Sequence, residues 1–328
     1  MNKPVKKSLQ VVLSLLLGGF VLFWVYRDFD FQRVTRVLLH ETNWWWMSFS
    51  LFFGVMSHVF RGWRWKQTLE PLGVRPHASD CVDAIFVSYA ASLVVPRVGE
   101  VSRCGVLARY DNVPFAKSLG TVVTERLIDT LCIVLITGLT FLLQMPVFLT
   151  FFEETGTKIP SLVHLLTSPW FYVVLFSAAG VLALLYYLLR MLAFFEKVKG
   201  VVLNVWEGIL SLRSVSNVPL FVVYTLLIWA CYFFHFYLTF YCFSFTAHLG
   251  VLAGLVMFVG GTFAVIVPTP NGAGPWHFAV ITMMMLYGVS AADAGIFALI
   301  VHGIQTLLVI VLGLWGWLHL MMGRRHKG

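Results

Sequence analysis

The sequence predicts an all-α polytopic integral membrane protein. It reads as about eight transmembrane helices with one or two re-entrant or broken-helix segments. Three observations carry this expectation. Of the 328 residues, 59% are apolar and only 12% are charged, and the mean hydropathy is +0.84. Soluble domains carry roughly 25% charged residues. Apolar runs of bilayer length recur along the chain. The cationic excess of 23 − 15 = +8 falls mostly on the stretches between them. This composition excludes a disordered chain, a soluble basic nucleic-acid binder and most soluble enzymes.

A bilayer core takes ~20 apolar residues of helix. Matching runs are Leu9–Tyr26, Trp44–Phe60, Ser118–Leu143, Trp170–Leu189, Pro219–Phe243, Leu249–Val267, Phe278–Val289 and Gly295–Met322. The first run follows Lys3, Lys6 and Lys7. It is long and lacks a small-residue cleavage site, so it reads as an uncleaved first helix. Trp44, Trp45 and Trp46 open the second run where an aromatic belt is expected. Cys81–Val95 is short for a span, contains Asp83 and stops at Pro96, which fits a re-entrant segment. Within Phe194–Arg213, the residues Val198, Val202, Val205, Ile209 and Leu212 recur at helical spacing. That predicts an amphipathic connector lying on the membrane.

Charge sets the orientation. The N-terminus, the stretches Arg61–Arg75 and Arg97–Lys117, the loop after Leu189 and the C-terminus are all net basic. The positive-inside rule places them in the cytoplasm, with both termini inside and the protein in the inner membrane. Gln144–Pro169 carries Lys158 against Glu153 and Glu154 and belongs outside. Cys81–Val95 then lies between two cytoplasmic stretches, so it must enter and leave by one face. The whole chain, 1–328, reads as a single domain. Its halves, roughly residues 1–143 and 170–328, are candidates for a structural repeat.

Charges within apolar segments mark candidate function. Thr121 to Asp129 places Glu125, Arg126 and Asp129 inside a span. Glu125 and Asp129 share a helix face, and Arg126 can pair with Asp129 three residues on. The cluster reads either as an ion-pair staple between helices or as part of a headgroup or ion pathway. A second candidate is Pro96, Arg97, Gly99, Glu100 and Arg103. Pro96 and Gly99 break the helix. Guanidinium groups beside exposed helix-terminal N–H groups suit a phosphate. A third is Pro268, Pro270, Asn271, Gly272 and Gly274, followed by His277. Such a break is tolerated in a membrane only where it is buried or lines a cavity. His277 is the one titratable side chain there and is a candidate proton-linked group. Paired breaks in two halves point to a transport site in repeat-built transporters.

Other signals are weaker. Arg61, Trp63, Arg64, Trp65 and Lys66 end a predicted span and read as an interfacial anchor, or as a contact to anionic headgroups. His235 and His302, the latter with Gln305 and Thr306, fit interhelical hydrogen bonds. The five cysteines are scattered, with no zinc spacing, and read as free thiols. No P-loop, GxSxG or HExxH motif occurs, so no catalytic residue, metal or cofactor is expected.

Taken in order, RGWRW (61–65), PRVGEVSR (96–103), TVVTERLID (121–129) and PTPNGAG (268–274) resemble the flippase-like membrane domain of the lysylphosphatidylglycerol synthase transmembrane-region family. The likeness covers nearly the whole chain. It draws attention to Arg97, Gly99, Glu100, Arg103, Glu125, Arg126 and Asp129, and to Pro268, Gly272 and Gly274. Many relatives run PTPGG with an acidic residue soon after; this chain has Asn271 and His277. Larger synthases add a soluble aminoacyl-transfer domain that these residues do not contain. The resemblance therefore implies lipid handling without the synthase chemistry.

The expected function is translocation of a lipid or lipid-linked headgroup between leaflets. Arg97, Arg103 and Arg126 would hold a phosphate, with Glu100, Glu125 and Asp129 as counter-charges. The expected partner is a membrane lipid and not nucleic acid. The alternatives are a membrane enzyme on a lipid-linked substrate, with Glu125 or Asp129 as base, and a non-catalytic scaffold.

Overall fold

A computed structural model describes residues 16–27, 29–95, 98–145, 215, 217–267 and 269–325. Contacts divide the chain into two units, Met1–Leu143 with Ser211–Gly328, and Gln144–Leu210. Every described helix belongs to the first. The predicted span Trp170–Leu189 and the connector Phe194–Arg213 lie outside the described residues.

The described elements are helices, with no strand among them. Helix α1 is Leu16–Tyr26. Then follow α2 (Phe31–Arg36), a π-helical turn (Val37–Glu41), α3 (Trp44–Leu69), α4 (Ala78–Val94), α5 (Gly99–Tyr110) and α6 (Phe115–Leu143). The chain continues with α7 (Val218–Tyr237), α8 (Val251–Ala264), α9 (Pro275–Leu286) and α10 (Ala291–Arg325). Side chains start several of these. The carboxylate of Asp30 accepts from the N–H groups of Gln32 and Arg33, and the Asn43 carbonyl accepts from Trp45 and Trp46. Asn217 caps α7 by accepting from the N–H of Leu220. These contacts satisfy donors that a helix start leaves free.

Among the described residues, three helices are long and apolar enough to cross a membrane: Phe115–Leu143, Val218–Cys242 and Ala291–Gly323. The polytopic all-α class is as expected. Helix α3 differs from its predicted extent of Trp44–Phe60, because it runs on to Leu69. Its last turns carry Arg61 and Arg64, which are buried. The helix continues because these charges are neutralised inside the protein and need no water.

Helices α5, α8 and α9 have 12, 14 and 12 residues. At 1.5 Å per residue these measure ~18–21 Å, short of a ~30 Å hydrocarbon core. Helix α4, with 17 residues, is ~26 Å long and marginal. Helix α4 packs on α5, and α8 on α9. Each pair is joined by a break, the first between Val94 and Gly99 and the second between Ala264 and Pro275.

The breaks are built differently. At the first, Gly99 starts α5 against the Ser88 carbonyl and the Ser92 hydroxyl, where a Cβ has no room. The Ser92 hydroxyl accepts from the Gly99 N–H at 3.2 Å. At the far end, Asp111 accepts from the His77 N–H at 3.1 Å and closes the hairpin. At the second, Asn271 and Gly274 adopt φ of 51° and 91°. Asn271 is then anchored to α10. Its Nδ2 donates to Thr306 Oγ1 at 2.8 Å, and His302 Nε2 donates to its carbonyl at 3.1 Å. The expected interhelical role of His302 and Thr306 is realised here. His235 does the same between α7 and α3, where its Nδ1 donates to the Ser50 carbonyl at 2.8 Å.

Helix α4 sits deep. Gly62 of α3 touches Val82, while Gly313 and Gly316 of α10 touch Ala90 and Asp83. Small residues let helix axes approach closely where no hydrophobic effect drives packing. One apolar core joins Met47, Phe240, Met257, Val280 and Phe297. A second joins Trp65, Leu69, Ile85, Cys104, Leu107 and Val122. Helix α3 contributes to both. On α6, Ser118, Thr121, Val122, Glu125 and Asp129 are buried, while Leu127, Leu131, Val134, Leu135 and Leu142 are exposed. That is one polar stripe inward and one apolar stripe outward at helical spacing.

Gly99→Ala should lower the thermal unfolding midpoint in detergent, at a cost of about 1–3 kcal/mol from overpacking. Gly105→Ala, with no atom near its Cβ position, should not lower the midpoint and should raise it slightly, because alanine is the better helix former.

Candidate functional site

Low dielectric makes unpaired charge very costly, so buried charges must find partners. Glu125 is fully buried and Asp129 is 8% exposed. Asp129 bridges two arginines of α3. Its Oδ2 accepts from Arg61 Nη1 and its Oδ1 from Arg64 Nη2, each at 2.8 Å. Arg126 Nη2 lies 3.0 Å from the same carboxylate, the i,i+3 pair that the sequence predicted. Glu125 lies 2.7 Å from Arg103 Nη1 and 3.4 Å from Arg64 Nε. Glu100 lies 3.5 Å from Arg126 Nε, on the half-exposed side of the network.

Aromatic and hydroxyl groups fix the arginines. Arg61 Nε donates to the Tyr232 hydroxyl at 3.0 Å, and Arg64 Nη1 to Thr225 Oγ1 at 3.3 Å. The Arg103 guanidinium stacks over Trp65, 4.5 Å from its ring centre. Trp65 Nε1 in turn donates to Thr121 Oγ1 at 3.0 Å. A cation over an indole face is stabilised without a second carboxylate. Arg103 Nη1 and Glu125 Oε2 thus form a fully buried ion pair.

Two cavities flank the network. The first, of about 250 Å³, is lined by Arg61, Glu100, Arg103 and Arg126, by Ser88 and Ser92 of α4, and by Thr269, Asn271 and Gly272. Residues from both breaks therefore meet on one cavity. The second, of about 430 Å³, shares Arg61, Tyr89, Arg126 and Val265 with the first. Its other walls are mainly apolar and aromatic, including Trp229, Phe236, Met257, Phe258 and Trp276.

The structure brings together Gly99, Glu100, Arg103, Glu125, Arg126, Asp129, Asn271 and Gly272. Glu125 stands behind Arg103 and lines neither cavity. Pro96, Arg97 and Pro268 lie outside the described residues. Pro270 and Gly274 shape the second break and line neither of these two cavities. His277 is 3% exposed and also lines neither. Its Nδ1 accepts from the Gly274 N–H at 3.4 Å, which caps its own helix.

Arg61 and Arg64 correct the sequence reading. They were expected at the membrane surface as an anchor; they are 2% and 0% exposed and hold Asp129. A signal was present. Two inward carboxylates beside a single arginine left the span a cation short, and Arg61 and Arg64 are three apart on a helix. Nothing in the sequence said which helix would supply the missing charge.

Helices, breaks and buried network together define a polytopic α-helical membrane protein with a polar site enclosed among its helices. The chain belongs to the lysylphosphatidylglycerol synthase transmembrane-region family, whose model matches residues 11–313. That places it among lipid-related membrane proteins. It is also similar to the glycosyltransferase AglD of Haloferax volcanii, at 34% identity over 85 residues. The match spans 26% of this chain and 14% of that protein. No solved structure matches it.

Asp129→Asn and Glu125→Gln should each destabilise the fold by about 3–5 kcal/mol, because each leaves buried arginines unpaired. Glu100→Gln should cost less than about 1 kcal/mol, as expected for an exposed pair. Thermal unfolding of the purified variants in detergent compares the three.

Proposed function

We propose that the protein binds the headgroup of a lipid or lipid-linked molecule and moves it between leaflets. The meeting of both helix breaks on one arginine-lined cavity carries this reading. Broken helices leave backbone groups free for a polar ligand, and paired breaks mark the site in repeat-built transporters. The two halves of the chain, roughly residues 1–143 and 170–328, would each supply one break. Both hairpins are re-entrant in this reading. Helices α5, α8 and α9 are too short to cross alone, which supports it. Both termini are cytoplasmic and the membrane is the inner one, on the charge pattern of the loops.

Arg103 and Arg126 hold the phosphate, with Arg97 beside them in sequence. Glu100 and Asp129 keep Arg126 in place until the ligand competes for it. The acyl chains stay in or near the bilayer while the headgroup crosses.

The resemblance to a glycosyltransferase favours a second reading, an enzyme acting on a lipid-linked substrate. Its bases would be Glu125 or Asp129. Both carboxylates are held by two or more guanidinium groups, so their lone pairs are engaged and poorly suited to take a proton. A scaffold calls for closed ion pairs with no cavity beside them, and two cavities stand there.

Reconstituted vesicles carrying a fluorescent phospholipid test transport directly. The protein should speed the loss of the inner-leaflet fluorescence that is otherwise protected from a membrane-impermeant quencher. Arg126→Gln, which is 40% exposed at its side chain, should fold and reduce that rate by about tenfold or more. An unchanged rate in both Arg126→Gln and Arg103→Lys overturns the proposal. Product formation from lipid extract, without transport, supports the enzyme instead.

A further inference from the structure

The second break is wedged between two neighbours. On one side Thr269, Asn271 and Gly272 line the smaller cavity. On the other side lies α1, where the Cβ position of Gly274 falls 2.9 Å from Val21 Cβ and 3.0 Å from the Gly18 carbonyl oxygen. The loop closes on itself by backbone bonds. The Gly272 N–H donates to the Thr269 carbonyl at 3.2 Å, and the Ala273 N–H to the Pro270 carbonyl at 2.9 Å. One side chain ties this loop to the helix that follows it. His277, on the first turn of α9, accepts the Gly274 N–H on Nδ1 at 3.4 Å.

A backbone N–H can only donate, so this cap exists only while Nδ1 carries no proton. A proton there would set two donors against each other. It would also add a cation at the positive end of α9. Among the described residues, the titratable groups facing His277 are His302 of α10 and Tyr26 of α1. The His302 ring centre lies 4.6 Å away. The Tyr26 ring stands edge-on at 5.7 Å, and its hydroxyl donates to the Gly295 carbonyl at 3.2 Å. Neither offers a carboxylate to an imidazolium. Helix α8, packed on α9, carries no titratable side chain. Helix α7 reaches Trp276 through Phe236, and its His235 is turned to the Ser50 carbonyl.

We propose that His277 is an acid-released latch on the second break. The closed break requires a neutral imidazole that is 3% exposed. A form in which the loop has left α9 exposes the ring, which can then take a proton. Protons bind the opened form and not the closed one, so acid shifts the population toward opening. The segment set free is Gly272 to Gly274, between the start of α9 and Asn271, which Thr306 and His302 tether to α10. Gly272 lines the smaller cavity, so the latch sets access to it. The inference concerns the break itself and does not depend on translocation or on the identity of a ligand.

Hydrogen exchange, read by mass spectrometry on the full chain in neutral detergent without added lipid, tests it. Rates are compared at about pH 7.5 and about pH 5.5, each corrected for its intrinsic chemical value. An exposed imidazole titrates near pH 6.5, so one proton taken up by the opened form alone should speed exchange across residues 269–278 by about tenfold. Peptides from α7 should stay protected. His277→Gln supplies an amide oxygen that accepts the same N–H and does not titrate, so its protection should hold at both values. His302→Gln leaves the cap in place and should keep the acid response. Unchanged protection in the unmodified protein overturns the proposal, as does an equal loss in α7. A folded His277→Gln variant that loses protection in acid overturns it too. Should His277→Gln not fold, His302→Gln decides: a retained response supports the latch, and a lost one assigns the switch to His302 and overturns it.

Discussion

The protein is organised around the neutralisation of Glu125 and Asp129 inside a low-dielectric interior. Two carboxylates four residues apart on α6 cannot be desolvated together unless cations reach them. Those cations come from three elements, Arg61 and Arg64 from α3, Arg103 from α5 and Arg126 from α6 itself. The pairing fixes the rotation of α6, since its inward stripe must face α3 and α5. It fixes how far α3 extends, because the helix has to deliver Arg64 to Asp129. It also sets where α5 begins, because Arg103 stands one turn beyond the helix start at Gly99. A change at one carboxylate therefore acts on three helices.

Once that network is in place, the breaks acquire a meaning that their composition alone does not give. A helix that stops inside a membrane exposes backbone groups that lipid cannot satisfy. The protein answers with side chains at both sites. Ser92 takes the Gly99 N–H, and His302 and Thr306 hold Asn271. Each break presents a polar edge to the same cavity. Arginines on one wall and polar edges on the other line that cavity. The cavity next to it has mainly apolar and aromatic walls.

The network is also unevenly bound. Arg61 and Arg64 are locked by carboxylates, hydroxyls and packing, and their burial makes them part of the fold. Arg103 is held by Glu125 and Trp65 and lines the smaller cavity, while Arg126, 40% exposed at its side chain, pairs with Asp129 and Glu100 and lines both.

The sequence by itself determined the class of the molecule, most helix positions, the two breaks and the inward face of α6. These follow from local physics. Apolar runs of bilayer length, helical spacing and the conformations of proline and glycine are written into consecutive residues. The i,i+3 pairing of Arg126 with Asp129 was legible for the same reason. The tertiary structure alone decided that Arg61 and Arg64 leave the membrane surface for the interior, that Arg103 serves Glu125, and that breaks more than 160 residues apart meet on one cavity. It also took His277 away from that cavity and made it a cap. Charge pairing across helices depends on which helix lies beside which, and in a chain where every helix is apolar many arrangements satisfy the pattern. Electrostatics selects among them only when the helices are already packed closely enough for the desolvation cost to be felt.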